Sequence, residues 1–95
     1  MIKVGNPLLI VLRTKKDFNF SQVVSATTEL LSPGGLRSTI TSVDIFTEDE
    51  TITVDLDNTV LTMQGWWKAT PIVTLDNGRV YRTESFRFFV HGVDD

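Results

Sequence analysis

Few side chains in this sequence are equipped for chemistry. There is one histidine, His91, and no cysteine among 95 residues. A nucleophile-histidine-acid relay needs a histidine between its partners, and structural zinc needs four Cys or His ligands, so both are all but excluded on inventory. His91 also sits near the chain end. Glu48, Asp49, Glu50, Asp55 and Asp57 could approach one another across a loop. Carboxylates of that kind bind calcium, but the spacing fits no EF-hand loop and reads as a solvated acidic face. Ser32-Pro33-Gly34-Gly35 lacks the lysine and the following helix of a phosphate loop, and reads as a turn. Trp66, Tyr81 and Phe89 could stack on a sugar ring or on bases, but no cations cluster near them along the chain, which speaks against nucleic acid. The expectation is a protein without catalytic residues, cofactor or metal site.

The aromatic residues lie in the stretch that organises the chain, Gly65–Gly92. It reads as two long strands joined by Asn77-Gly78, a dipeptide that suits a two-residue hairpin turn because both of its central positions need positive φ. With Asp76 and Arg79 flanking that turn, Leu75 falls opposite Val80, Val73 opposite Arg82, Ala69 opposite Phe86 and Trp67 opposite Phe88. The other face pairs Thr74 with Tyr81, Ile72 with Thr83, Lys68 with Arg87 and Trp66 with Phe89. Side chains alternate along a strand, so these sets define two faces. Trp67, Ala69, Val73, Leu75, Val80, Phe86, Phe88 and Val90 form the expected core face. A three-residue loop would set charged residues against apolar ones and is rejected on that ground. The second face carries Trp66, Ile72, Tyr81 and Phe89 among polar residues. It reads either as a docking surface or as a patch covered by Met1–Gly5. Pro71 lacks a donor and belongs where its nitrogen faces outward, or at a bulge.

Net charge is −3 with both signs interspersed, so the sequence shows no basic footprint for nucleic acid. The apolar run Leu8–Leu12 is too short for a signal peptide, and no stretch is long enough to cross a membrane. Asn19-Phe20-Ser21 matches a glycosylation sequon, which means little without a secretion signal. The expectation is a single domain over 1–95, made in the cytoplasm.

Along the chain, Ile2-Lys3-Val4 alternates like a short edge strand. Leu8–Leu12 reads as a strand buried on both sides or as a first core strand. Asp17–Ser21 is a loop whose two aromatics plug one end of the core. Gln22–Leu31 is rich in β-branched residues and ends at the Ser32–Gly35 turn. Leu36–Phe46 is one bent strand or two short ones, with Ile40, Val43 and either Ile45 or Phe46 facing in. Thr47–Glu50 is an acidic turn, Thr51–Asp55 a strand with Ile52 and Val54 on one face, and Asp57–Gln64 a helical turn or loop. Gly65 is expected to serve backbone freedom, and Asp94-Asp95 to fray. About seven antiparallel strands with little helix argue an all-β fold, an immunoglobulin-like β-sandwich, with a small barrel as the alternative. Cysteines and the tyrosine corner are absent, so this is no antibody-type domain.

Several of these motifs, in order, resemble small immunoglobulin-like proteins of tailed bacteriophages: Asp17-Phe18-Asn19-Phe20-Ser21 leading to Ala26-Thr27, the strand into Ser32-Pro33-Gly34-Gly35, Asp55-Leu56-Asp57, Gly65-Trp66-Trp67, Pro71-Ile72-Val73, Asn77-Gly78 and Phe86-Arg87-Phe88-Phe89-Val90. They are similar to the N-terminal domain of phage upper-baseplate proteins and to head and neck accessory proteins, over most of residues 5–91. The resemblance implies a non-enzymatic virion structural protein, made in the host cytoplasm, that binds capsid or head–tail (neck) proteins as a decoration or connector part, with self-association as a further option and no nucleic acid or membrane among its partners. The second tryptophan, Trp66, and the lack of a long C-terminal extension depart from the baseplate pattern and favour a standalone accessory protein. The alternatives are a baseplate or tail-fibre adaptor, and a carbohydrate-binding adhesion module that uses the exposed aromatics. A free enzyme inhibitor or host-takeover protein is the remaining class.

Overall fold

The computed structural model describes residues 1–13, 19–46 and 49–94. The Asp17-Phe18 part of the aromatic loop, Thr47-Glu48 of the acidic turn and Asp95 lie outside the described residues. Eight strands follow one another: β1 (Leu8–Arg13), β2 (Val23–Leu31), β3 (Arg37–Ile40), β4 (Val43–Phe46), β5 (Thr51–Leu56), β6 (Gly65–Leu75), β7 (Val80–Arg82) and β8 (Phe86–Val90). A 3-10 turn over Phe20–Gln22 is the one helical element among the described residues. The strands make two antiparallel sheets, β1-β5-β4 and β3-β2-β6-β7, with β8 also paired to β6. In constant-type immunoglobulin domains the first two strands share a sheet. Here β1 pairs with β5, and β2 lies in the other sheet between β3 and β6.

The sheets meet through their alternating apolar faces. Ile10, Val54 and Leu56 from the smaller sheet pack with Leu30, Trp67, Ala69, Phe88 and Val90 from the larger one, and Leu61 of the β5–β6 loop joins them. A second cluster joins Phe20, Ile52 and Val73, with Val43, Ile45 and Tyr81 around it. Of the two aromatics expected to plug the core from that loop, Phe20 is buried in this cluster, and Phe18 lies outside the described residues. On β4, Ile45 takes the inward position and Phe46 is exposed. β1 is a core strand on one face only. Ile10 is buried, whereas Leu9 and Val11 point outward and are 61% and 57% exposed. Its continuous apolar run is therefore not the mark of a strand covered on both faces.

The hairpin follows the expected register in its outer half and departs from it near the turn. Trp66 pairs with Phe89, Trp67 with Phe88, Lys68 with Arg87 and Ala69 with Phe86. Beyond them, Ile72 pairs with Arg82, Val73 with Tyr81 and Thr74 with Val80, one residue off. The loop holds three residues, Asp76, Asn77 and Gly78, because the Leu75 amide bonds the Arg79 carbonyl at 2.8 Å. Gly78 alone takes positive φ there, +84°, while Asn77 does not, so the two-residue turn is replaced by a longer loop closed by a left-handed glycine. One extra residue in Thr83–Ser85, between β7 and β8, then restores the outer register. The three-residue loop rejected from the sequence is tolerated because this bulge absorbs the offset before Phe86. Pro71 lies opposite the bulge, where β6 changes partner, and its carbonyl accepts from the Thr83 amide at 2.9 Å.

Two features fix the entry to β6. Gly65 has φ +126°, and a Cβ there would lie 2.9 Å from Pro33, so both backbone and space demand glycine. The Trp67 indole Nε1 donates to the Met63 carbonyl at 2.9 Å, which satisfies its buried polar edge. In the preceding loop, Asp57 accepts from the hydroxyl and the amide of Thr59, and these bonds hold its carboxyl below the usual carboxylate range.

Candidate functional site

The outward face of the five-stranded sheet carries the residues singled out for docking, and the structure divides them. Trp66 is 60% exposed and Phe89 38%. Their rings meet edge to face at 5.3 Å, and Phe89 makes a second such contact with His91 at 4.8 Å. Ile72 is on the same face but half-buried. Six residues of strand, about 20 Å, separate it from Trp66. Tyr81 is a correction. The shifted register sets it opposite Val73, and it packs inward on the second core cluster. Val80 is the matching correction, turned outward and 62% exposed instead of in the core. The other assigned core positions are inside: Trp67, Ala69, Val73, Phe88 and Val90 are buried, and Phe86 packs against them half-buried.

The N-terminal segment does not lie over the aromatic pair. Lys3 bridges to His91 in parallel, the Val4 amide bonds the His91 carbonyl at 2.9 Å, and Ile2 and Val4 pack against the core. Met1–Gly5 therefore extends the sheet at the end of β8.

Charge on this face is concentrated in a way that no single strand reveals. Arg37 of β3 pairs with Leu31 of β2, Leu31 with Lys68 of β6, and Lys68 with Arg87 of β8, so three cations share one cross-strand row. Arg82 stands further along the face, opposite Ile72. The absence of a basic cluster near the aromatics, inferred from the sequence, is thereby overturned: Arg37, Lys68, Arg82 and Arg87 lie on four different strands, and β-pairing assembles them. Glu29 takes two of the four. One carboxylate oxygen accepts from Arg37 at 2.8 Å and the other from Arg82 at 3.2 Å. Among the described residues, Lys68 and Arg87 have no acidic partner.

Two shallow hollows follow this row. One, about 180 Å³, is lined by Leu31, Ser32, Pro33, Trp66, Lys68 and Arg87, with Trp67 at its base. The other, about 280 Å³, shares Leu31 and Lys68 and continues to Arg37, Arg82 and a hydroxyl-lined floor. There Thr70 and Ser85 hydroxyls bond each other at 2.6 Å. The arrangement offers aromatic faces, cations and hydroxyls, groups chemically able to hold a polar or aromatic ligand; the described residues hold no group of three or more metal-ligating side chains.

The pairing of Lys68 with Arg87 was legible in the hairpin register, but its significance depended on Arg37, Glu29 and Arg82, whose placement needs the β2–β3 and β2–β6 pairings. Comparison with protein-family models, curated proteins and solved structures finds no match.

Proposed function

We propose that this chain is a non-enzymatic structural protein of a tailed-bacteriophage virion, a small β-sandwich that docks onto capsid or neck proteins through the Trp66 end of its five-stranded sheet. One observation carries the docking part. Trp66 and Phe89 form an exposed aromatic pair on a sheet face that no described segment covers. Large aromatics anchor interfaces because they bury much area for little lost conformational entropy. The virion assignment rests on the order of sequence motifs shared with small immunoglobulin-like phage proteins, and its size and two-layer build suit such a module.

The test is the double substitution Trp66→Ser with Phe89→Thr. Both side chains are on the outer face, so the variant is expected to stay folded while losing association with purified particles, by about 2–4 kcal/mol of binding. Wild-type occupancy of the double variant on particles refutes the docking face. Absence of the wild-type chain from purified particles, scored by mass spectrometry, refutes the virion assignment. A second reading, carbohydrate adhesion, is favoured by the open Trp66 ring, and binding to a glycan array that requires Trp66 would select it.

A further inference from the structure

We infer that the groove beside Trp66 is a carboxylate-reading site that takes an extended acidic segment of a partner protein. This rests on the docking role proposed above and names what the partner must present. Lys68 and Arg87 lie directly opposite each other across β6 and β8. Like charges in that position destabilise a sheet, and each would be better placed beside an acid. No acid among the described residues relieves them. Glu29 is held by Arg37 and Arg82, and Glu84, exposed in the bulge, has no ion pair. Among the described residues, the sheet thus leaves a pair of cations without an acid in the lining of a hollow shared with Trp66 and Pro33.

The chemistry of the missing anion is indicated by its neighbour. On the same face Glu29 is already gripped by two guanidinium groups, one on each carboxylate oxygen. This face thus already holds one carboxylate, and it sets cations beside apolar surface: Lys68 and Arg87 line the hollow with Leu31, Pro33 and Trp66. An extended peptide with acidic and apolar side chains matches that mixture. A long polyanion matches it less well, because Glu29 holds Arg37 and Arg82 and leaves Lys68 and Arg87 to contact phosphates.

The test uses the full chain and three labelled probes: a ten-residue peptide alternating Glu with Leu, the same peptide with Gln for Glu, and a ten-nucleotide oligothymidine. Fluorescence anisotropy gives affinity at 25 and 250 mM salt, and amide shifts locate the site. The Glu peptide is expected to move amides at 66–68 and 87–89 and to bind about tenfold tighter than the Gln peptide, as expected of charge-assisted hydrogen bonds. Its affinity should fall at the higher salt. Arg87→Glu supplies Lys68 with an opposite charge, so it should raise Tm while weakening the Glu peptide about tenfold or more. A purely structural role for Arg87 gives the reverse, a lower Tm with binding unchanged. Equal binding of the Glu and Gln peptides, or no binding of either, overturns the carboxylate site. If both peptides bind equally and Trp66→Ser with Phe89→Thr abolishes both, the docking face survives without it. Tighter binding of oligothymidine than of the Glu peptide replaces the peptide by single-stranded nucleic acid and also overturns the proposal.

Discussion

Thr28 is fully buried on β2, opposite Pro71, and its hydroxyl has no hydrogen-bond partner among the described residues. A buried unpaired hydroxyl loses its hydration for nothing in return, so Thr28→Val, which keeps the shape, should raise the unfolding free energy by about 1–2 kcal/mol. A urea midpoint at or below the parent's would show that the hydroxyl is satisfied in solution. Trp67 presents the opposite case. It fills the core between the sheets and closes its indole N–H on Met63. Trp67→Ala should cost about 3–5 kcal/mol, a large part of the 5–15 kcal/mol of a whole domain. The check is circular dichroism in urea, where an unchanged midpoint would contradict the packing. Both residues show what sequence can tell at this scale. Trp67 was assignable to the core because it alternates with Trp66 and meets Phe88. The unpaired hydroxyl of Thr28 was not, since it depends on which residues the neighbouring strands set around it.

Among the elements, the hairpin separates legible from illegible most clearly. Its outer half follows from the aromatic alternation of Trp67 with Phe86 and Phe88. Its inner half does not, because Thr83-Glu84-Ser85 contains no glycine or other mark of a bulge. The pairing of β1 with β5 joins segments some forty residues apart and leaves no local signature either. The observed register wins on physical grounds. It buries Tyr81 against Val73 and leaves Arg82 outside to meet Glu29, whereas the unbulged register would place Arg82 in the core, where an unpaired charge is costly. The exchange Tyr81→Arg with Arg82→Tyr should therefore slip β7 by one residue. In NMR spectra, cross-strand contacts of residue 82 should move from Ile72 to Val73. If residue 82 keeps contact with Ile72, side-chain burial does not set the register.

For the whole molecule, the two sheets and their shared core follow from strand-length alternation, and the cationic face follows only in part: Lys68 and Arg87 pair within the hairpin, whereas Arg37 and Glu29 join them through β2. The other sheet shows no such cationic cluster among the described residues. Asp44 and Asp55 project from the outer face of β4 and β5, where Arg13 is the cation among the described residues. Among the described residues, cations thus gather on the outer face of the five-stranded sheet of a body about 46 × 24 × 20 Å, and the net charge does not describe that face. On the proposed docking role, the Lys68–Arg87 row would meet an acidic partner surface first, and β1, with Leu9 and Val11 exposed, belongs to the other sheet. Orientation would then be set during approach.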